Sequence, residues 1–385
     1  MLSSYTWCAK TLWVSRSKSP IRVILKKILL HSILILLPFL VVEGVFRLLP
    51  VSSPPHILPV SSENPVAHFQ PNVDYVFSAG WNFSIRTRKH SNNFGYNNLS
   101  DYDPDETTPL LMVMGDSYVE AHAVDAGKSA AEILNSGVDG AGRVYSIGLS
   151  GAQLAQYLVF ADFARTTFRP DAMAFVIIGR DFDESLLKYM SDPRFHYFQE
   201  GGDNFVLRRI DYELSLTKKL LRHSAFVRYV MQNLSAKETL ERLSGKLSGQ
   251  SQDYVGNMPS KVEEARVTDA KSAIDEFFRR LPQSTGLNSR SILFVIDGVR
   301  PALYFPEELK KAEDSYVSQM MRYFKEHAIS RGYEVIDMQP AFIRKHRLDG
   351  SRFEFENDSH WNELGQRLVA EEIQKSAVFT RMFDH

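Results

Sequence analysis

The tripeptide Gly-Asp-Ser at residues 115–117 holds the first side chain that could do chemistry. It follows the apolar run 110–114 and precedes a helical segment, so we predict that Ser117 lies on a tight turn between a strand and a helix. A serine held on such a turn can attack a carbonyl carbon once a base removes its proton. Serines in this place also often only cap the next helix. The tripeptide alone leaves both roles open for Ser117.

A second segment near the end of the chain, residues 358–360, supplies the base that such a serine needs. Of the eleven histidines, His360 is the one with an aspartate two residues before it and a helical segment directly after it. Its imidazole could accept the serine proton, while Asp358 could orient the ring and stabilise its cation. A turn that caps the last helix is compatible with this role. The predicted catalytic residues are therefore Ser117, His360 and Asp358.

Further candidates for binding the substrate or the oxyanion follow the other predicted strands or flank the triad. Gly148 comes after the run 143–147, and its N–H could donate to an oxyanion, or the glycine could simply form a turn. Arg180 comes after the run 172–178 and could supply another donor or contact an anionic substrate. Trp361 could stack on a sugar ring or be a buried aromatic. Asp116, which directly precedes Ser117, is the last candidate for binding the substrate or the oxyanion.

The elements that must position these residues form a regular alternation. Five short apolar runs are typical of buried parallel strands: 110–114, 143–147, 172–178, 291–296 and 333–337. Helical segments are predicted between and after them: 129–136, 152–168, 306–330 and 363–377. This pattern predicts an α/β fold of three layers, a parallel sheet flanked by helices. Since ligands bind beyond the carboxyl ends of such strands, the candidates above should meet at one edge of the sheet.

The chain divides into four predicted parts. They are a basic tail (1–27), a membrane anchor (28–50), a stalk with a β-rich lead-in (51–109) and the α/β domain (110–385). The long gap between the third and fourth strands predicts a helical insertion of about residues 185–288. Apolar residues at helical spacing in 211–243 and 262–281 are interpreted as packing surfaces of this insertion, which could cover the sheet as a cap.

The anchor is predicted from an apolar stretch and the charges around it. Fifteen uncharged residues run from 28 to 42, and extension to Pro50 reaches spanning length if Glu43 and Arg47 lie at the interface. Six basic and no acidic residues come before it, which predicts a cytoplasmic N-terminus and an extracytoplasmic domain after residue 50. A cleaved signal peptide or a buried core helix would be the alternatives; the stretch lacks a clear small-residue cleavage site.

Composition and charge narrow the possible functions. The 385 residues are 44% hydrophobic and carry a net charge of −1, as in an ordinary globular protein. Residues 1–50 have a net charge of +6, so the remainder carries −7, which argues against nucleic-acid binding. The one cysteine, Cys8, cannot form an internal disulfide, and there is no cysteine pair for a zinc site. No acidic cluster with metal spacing is evident, so no metal or cofactor is predicted.

Four segments in chain order together resemble the SGNH (GDSL-type) hydrolase superfamily. They are Gly-Asp-Ser at 115–117, Gly-Leu-Ser-Gly at 148–151, Gly-Arg-Asp at 179–181 and Asp-Ser-His at 358–360, over about residues 110–377. Asn362 and Gly365 fit the His-x-Asn-x-x-Gly pattern of the last segment. The resemblance implies a flavodoxin-like sheet, a Ser117 nucleophile and an oxyanion hole that includes the Gly148 N–H.

Two departures from the family pattern accompany this resemblance. Arg180 stands where the family usually has an oxyanion asparagine, and the last segment is Asp-x-His-Trp, which is similar to proteins that O-acetylate exopolysaccharides. The resemblance implies an esterase or O-acyltransferase that acts on an acylated carbohydrate from the periplasmic side of a bacterial inner membrane. It also implies a multi-span membrane acyltransferase as partner. The alternative, which Arg180 keeps open, is a catalytically weak binding or scaffold subunit of a polysaccharide assembly complex.

Overall fold

The computed structural model describes residues 20–138, 140–202, 204–234, 254–255, 258–300, 302–356 and 358–383. The chain forms two compact units, Met1–Leu49 and Pro50–His385. The described part of the first unit is a helix, Pro20–Leu48, with Pro38 inside it. Its stretch Ile24–Leu48 has 25 residues with a mean hydropathy of 2.3, long and apolar enough to cross a membrane. Residues 1–19 of the predicted basic tail, Cys8 included, lie outside the described residues.

A five-stranded parallel sheet forms the centre of the second unit. Its strands, in chain order, are β1 Leu110–Gly115, β2 Arg143–Gly148, β3 Ala172–Ile177, β4 Ile292–Ile296 and β5 Glu334–Asp337. Their spatial order is β5-β4-β3-β1-β2, and all four pairings are parallel. The five strands predicted from apolar runs are therefore confirmed. The chain changes direction across the sheet at β1, which is the place where open α/β sheets bind ligands.

Helices cover both faces of the sheet, which confirms the predicted three-layer α/β fold. The six long helices of these layers are α1 Ala130–Gly137, α2 Leu154–Thr167, α3 Glu264–Thr285, α4 Tyr316–Ser330, α5 Met338–Asp349 and α6 Glu363–Gln374. Along β1, Met112 faces the core with α2, α3 and α4, whereas Leu111 faces the core with α1, α5 and α6. This alternation follows from the two-residue period of a strand. The sequence analysis did not predict α5.

Shorter elements connect these layers. The predicted helix 306–330 is two helices, Pro306–Glu313 and α4, because Ser315 caps α4 by accepting from the Ser318 N–H. The remaining short helices are Ser117–Glu120, Asp183–Ser185, Leu216–Leu221, Ala225–Arg228, Tyr229–Asn233 (a π-turn), Ser289–Ser291, Ala302–Tyr304 and Ala377–Phe383. The remaining short strands are Tyr254–Val255, Met258–Pro259, Glu354–Phe355 and Asp358–Trp361.

An antiparallel hairpin, Val73–Ala79 paired with Ile85–Ser91, forms the regular β structure of the segment before the sheet. Lys89 on its second strand is buried and donates to the carbonyl oxygens of Ala121 at 2.9 Å and Val124 at 3.1 Å. Burial lowers the pKa of Lys89 to about 8, against the opposing charge of Glu120. The hairpin therefore holds the loop that follows the short helix Ser117–Glu120.

The predicted helical insertion is wrong in two respects. Its first part is a second antiparallel hairpin, His196–Gly201 paired with Asn204–Arg209. The sequence signal that was missed is an aromatic run followed by two glycines, which is typical of a hairpin. In the structure Phe198 is buried and Gly202 has a φ of +72°. Its last part is α3, whose Phe277 packs on the sheet, so this helix belongs to a layer rather than to a cap. Residues 235–253, 256 and 257 lie outside the described residues.

Candidate active site

Ser117 lies on the turn between β1 and the short helix Ser117–Glu120, as predicted from its flanking residues. Asp116 caps this helix by accepting from the Tyr118 N–H at 2.9 Å, and its Oδ2 lies 3.1 Å from Ser117 Oγ. Burial raises the pKa of Asp116, although the Tyr118 N–H and the charge of His360 oppose the shift. Asp116 was predicted to bind substrate or oxyanion. The structure places it inside the protein, 1% exposed, because the cap points its carboxylate back into the turn.

His360 meets the serine from the far end of the chain. Its Nε2 lies 2.7 Å from Ser117 Oγ, and its Nδ1 is hydrogen-bonded to Asp358 Oδ1. Asp358 Oδ1 also accepts from the His360 backbone N–H at 2.8 Å, which fixes the carboxylate beside the ring. The structure therefore brings together the three residues that the sequence analysis predicted as nucleophile, base and orienting acid.

The electrostatics of the pair suit a general base. Burial alone lowers the pKa of His360, but the hydrogen bond and charge of Asp358 outweigh it and raise the pKa above its usual value. Burial likewise tends to raise the pKa of Asp358, and the hydrogen bond from His360 lowers it to about 2. At neutral pH Asp358 is thus ionised and fixes the Nδ1 proton. The Nε2 atom is left to accept the proton of Ser117.

A buried ion pair holds the loop that carries His360. Arg300 and Asp297 are 1% and 6% exposed at their side chains and form a salt bridge behind the loop. Arg300 Nη1 donates to the Ser359 carbonyl oxygen at 3.1 Å, and the Tyr118 hydroxyl donates to the same oxygen at 2.9 Å. Asp297 and Arg300 both follow β4. The rule that ligands bind beyond the carboxyl ends of parallel strands therefore applies to them as it does to the residues after the other strands. The sequence analysis missed them because it considered only the residues after the first three strands and near the end of the chain.

Trp361 was predicted as a substrate-binding residue, and the structure corrects this prediction. Its side chain is 1% exposed, packs against Tyr118 with ring centroids 5.0 Å apart, and donates from Nε1 to Asp297 Oδ1 at 2.9 Å. An indole in that position cannot stack on a sugar. Its physical role is to fill the core and to satisfy part of the buried carboxylate.

Gly148 permits the close approach of β2 to the nucleophile turn. A Cβ on Gly148 would lie 2.4 Å from the Glu120 backbone nitrogen and 2.8 Å from the Val119 carbonyl carbon. Gly148 pairs with Gly115 across the sheet, so two glycines lie side by side beneath the helix. The structure gives Gly148 this packing role. Donation of its N–H to an oxyanion stays a prediction.

A cleft opens at Ser117 and His360 on the carboxyl side of the sheet. Among the described residues, its lining is Ser117, Tyr118, Ile178, Gly179, Arg180, Val255, Asp297, Gly298, Val299, Arg300, Val317, Met321, Ser359 and His360. Arg180 is 37% exposed at its side chain and is held by Glu184, to which its Nε donates at 2.9 Å. The arginine therefore places a cation at the wall of the cleft. The contacts of the guanidinium go to Glu184, and donation to an oxyanion stays a prediction.

His122 is a second imidazole beside the first, and the sequence analysis did not predict it. Its ring lies edge-on to His360 with centroids 4.5 Å apart, and its Nδ1 lies 3.4 Å from Ser150 Oγ. Burial and the charge of His360 hold the pKa of His122 well below its usual value, so this ring stays neutral. Ligand atoms of His122, Asp358 and His360 lie within 4.8 Å of one another, a spacing that could hold a metal ion. Such an ion would compete with proton transfer, and the expected absence of a metal stays a prediction.

Comparisons with known proteins add a likeness in fold. No protein-family model and no curated protein matches the chain. Among solved structures, it is similar to an α/β hydrolase from the Lake Arreo metagenome, with 12% identity, 72% and 98% of the two chains covered and a TM-score of 0.39. It is also similar to a lipase/acylhydrolase from Enterococcus faecalis, with 10% identity, 69% and 96% covered and a TM-score of 0.36. A two-domain esterase active on acetylated mannans is similar with 10% identity, 72% of this chain and 50% of the esterase covered, and a TM-score of 0.37. Likenesses this weak carry no inference about function.

Proposed function

We propose that the protein is a serine esterase or O-acyltransferase that works through an acyl-serine intermediate. The observation that carries this proposal is the continuous hydrogen-bonded row from Ser117 Oγ through the His360 ring to Asp358. A helix cap would explain Ser117 alone, but Asp116 is the residue that caps the helix. The hydroxyl of Ser117 is instead bound at 2.7 Å by an imidazole whose other nitrogen is held by an ionised carboxylate.

The reaction follows from these contacts. His360 Nε2 takes the hydroxyl proton as Ser117 Oγ bonds to the carbonyl carbon of an ester, and the carbonyl π electrons move to its oxygen. Collapse of this tetrahedral adduct expels the leaving oxygen, which receives the proton from His360. Water or a sugar hydroxyl then attacks the acyl-serine, again giving its proton to His360. The second collapse breaks the acyl–Oγ bond and releases the acid or a new ester, and His360 returns its proton to Ser117 Oγ. Asp358 stabilises the imidazolium in both halves of the cycle.

The charge at the wall of the cleft favours a polar acyl acceptor or a polar acyl carrier as substrate. Arg180 presents a guanidinium half-exposed to this space, and Glu184 fixes its position. A fixed cation of this kind suits a substrate with a carboxylate or phosphate near the ester. Together with the resemblance of the motifs to the SGNH superfamily, this supports an acylated carbohydrate, most simply an acidic polysaccharide. Water exclusion at the cleft would favour transfer over hydrolysis.

A membrane anchor is part of the proposal. The helix Pro20–Leu48 holds a stretch of spanning length, and basic residues dominate the chain before it. The charge asymmetry favours a cytoplasmic N-terminus and an extracytoplasmic, periplasmic α/β domain. A multi-span acyltransferase that delivers acyl groups across the same membrane is the partner that this arrangement suits.

The second candidate function is a weakly catalytic scaffold subunit of a polysaccharide assembly complex. Arg180 is the observation that favours it, since an arginine tied to Glu184 does not replace the missing amide donor of the family pattern. Loss of one oxyanion donor typically costs about 2.7–4 kcal/mol of barrier stabilisation.

Two measurements on the full chain in detergent test the proposal. A fluorophosphonate probe should label wild type and should not label Ser117→Ala, while Ser150→Ala, which removes the serine beside His122, should still label. Incubation with an activated acetyl ester and oligosaccharides then separates transfer, which yields acetylated sugar, from hydrolysis, which yields only acetate. Absence of labelling in folded wild type would reject the enzyme and leave the scaffold.

A further inference from the structure

The short helix Leu216–Leu221 has no buried residue among its six. Its leucines Leu216, Leu220 and Leu221 are 77%, 73% and 49% exposed. The sequence analysis interpreted this stripe as a packing surface, and no described part of the chain covers it. Exposed apolar side chains grouped on one short helix are typical of a surface that contacts a partner or a membrane.

The tip of the first hairpin carries another exposed apolar side chain and is tied to the segment after this helix. The Tyr229 hydroxyl donates to the Trp81 carbonyl oxygen at 2.8 Å, which ties the tip to the segment that follows the helix. Trp81 is 74% exposed and Met231, on the π-turn, is 55% exposed. We call the set Trp81, Leu216, Lys218, Lys219, Leu220, Leu221 and Met231 the interfacial patch.

Two arginines in the segment after the helix Leu216–Leu221 bind the first residues of the second unit. Arg222 Nη2 donates to the Pro54 carbonyl oxygen and Arg228 Nε donates to the Ser52 carbonyl oxygen, both at 2.9 Å. Arg228 Nη1 also donates to the Arg222 carbonyl oxygen at 2.8 Å, which joins the two parts of the segment. Residues 52–54 follow the apolar helix by only four to six positions. If that helix spans a bilayer, these residues lie at its surface.

Charge distinguishes a lipid surface from another apolar partner. Lys218 and Lys219 lie between the leucines and are exposed; Lys219 has Glu213 at 3.9 Å as a weak partner. Leucine and tryptophan beside lysine is the composition of segments that lie in the headgroup region of anionic membranes. We propose that the interfacial patch rests on an anionic phospholipid bilayer and gives the domain a second membrane contact beside the anchor. This inference uses the proposed anchor and is independent of the acyl chemistry.

The contact would set the height of the active site above the membrane. Phe77, on the same hairpin as Trp81, packs against His122 with tilted rings whose centroids are 4.4 Å apart, and His122 contacts His360. Trp81 lies in the turn after the strand of Phe77 and follows Phe77 by four residues, which span at most roughly 14 Å. Through the ring contacts from Phe77 to His122 and from His122 to His360, the bilayer contact would therefore fix the distance of the catalytic imidazole from the lipid headgroups.

The fluorescence of Trp81 measures the contact between the interfacial patch and the lipid. The full chain is placed in nanodiscs of phosphatidylcholine and phosphatidylglycerol, with acyl chains either plain or brominated near the headgroup. The other tryptophans, Trp7, Trp13 and Trp361, remain in Trp81→Phe, so the difference between wild type and this variant isolates Trp81 emission. We expect about a twofold or greater loss of that emission with brominated lipid, because an interfacial indole lies at the headgroup and acyl boundary. Equal emission in plain and brominated discs would overturn the proposal.

Charge reversals supply the matched control. Lys218→Glu with Lys219→Glu should remove at least about half of the quenching, since each lysine near an anionic surface contributes to binding. Lys310→Glu with Lys311→Glu, on the exposed face of Pro306–Glu313, should leave the quenching unchanged. Unchanged thermal midpoints show that both variants fold. A detergent-solubilised dimer that the Lys218/Lys219 variant dissociates would assign the surface to a second copy and reject the bilayer contact.

Discussion

Ser117 Oγ and His360 Nε2 lie 2.7 Å apart although 243 residues of chain separate them. The two atoms meet because β1 ends beneath Ser117 while the loop before α6 returns over the same edge of the sheet. Neither residue could be assigned a role from its own segment alone. Their contact turns a capped helix start and a histidine-containing turn into one proton-transfer unit.

Asp358→Asn should lower the rate of acyl transfer and shift its pH dependence. His360 must be neutral to accept a proton, and Asp358 raises its pKa above the usual 6.5, so activity in wild type should rise with pH through this raised value. In serine proteases the equivalent change lowers kcat about 10⁴-fold, and we expect a loss of that order here. The residual activity should have its acidic limb at lower pH, because the charge that raised the pKa is gone. A pH profile of kcat/KM checks this, and an acidic limb that does not move would contradict it.

Gly148→Ala should disturb the nucleophile through backbone contact. The new Cβ would meet the Glu120 nitrogen at 2.4 Å, and backbone atoms cannot move aside cheaply. We expect destabilisation of about 1–3 kcal/mol together with a marked loss of kcat. The control is Gly137→Ala, whose Cβ would meet only the side-chain end of Gln374 at 3.0 Å. Thermal unfolding and fluorophosphonate labelling of both variants give the comparison; equal behaviour would show that β2 does not support the turn.

Arg300→Met should be strongly destabilising, because it leaves the buried Asp297 carboxylate without its cation. Removal of one partner of a buried ion pair costs about 3–5 kcal/mol. The double variant Asp297→Asn with Arg300→Met should regain part of this stability, since no buried charge remains. Its kcat should nevertheless stay below that of wild type, because the Ser359 carbonyl oxygen has lost a donor that lies at 3.1 Å. Chemical unfolding separates these effects, and a double variant as unstable as the single one would refute the explanation.

Arg180→Gln should discriminate between two roles for this side chain. We expect kcat/KM for esters that bear a nearby carboxylate to fall about tenfold, as suits loss of a charge-assisted contact. Neutral esters should react at the wild-type rate, because the guanidinium contacts Glu184 rather than the oxyanion position. A fall in kcat of about 10²-fold or more for both ester classes would instead identify Arg180 as an oxyanion donor.

The sequence by itself determined the parts of this protein that depend on local patterns. Five apolar runs predicted β1 to β5, since a strand buried on both faces is apolar at every position. The turn after β1 and the Asp-x-His segment, taken together, made Ser117, Asp358 and His360 the candidate catalytic residues before any contact was known. The apolar, base-flanked stretch near the N-terminus predicted a helix that could span a membrane.

Only the tertiary structure decided which side chains are buried and which meet across the fold. It buried Trp361 against Asp297, exposed Leu220, and brought His122 and Arg300 to the site from segments without a motif. The physical reason is that periodicity is a property of one segment, whereas burial and contact depend on what the distant segments place beside it. The motifs of the sequence therefore predicted the chemistry proposed for Ser117. The buried contacts that hold the catalytic residues in place arise only when the distant segments fold together.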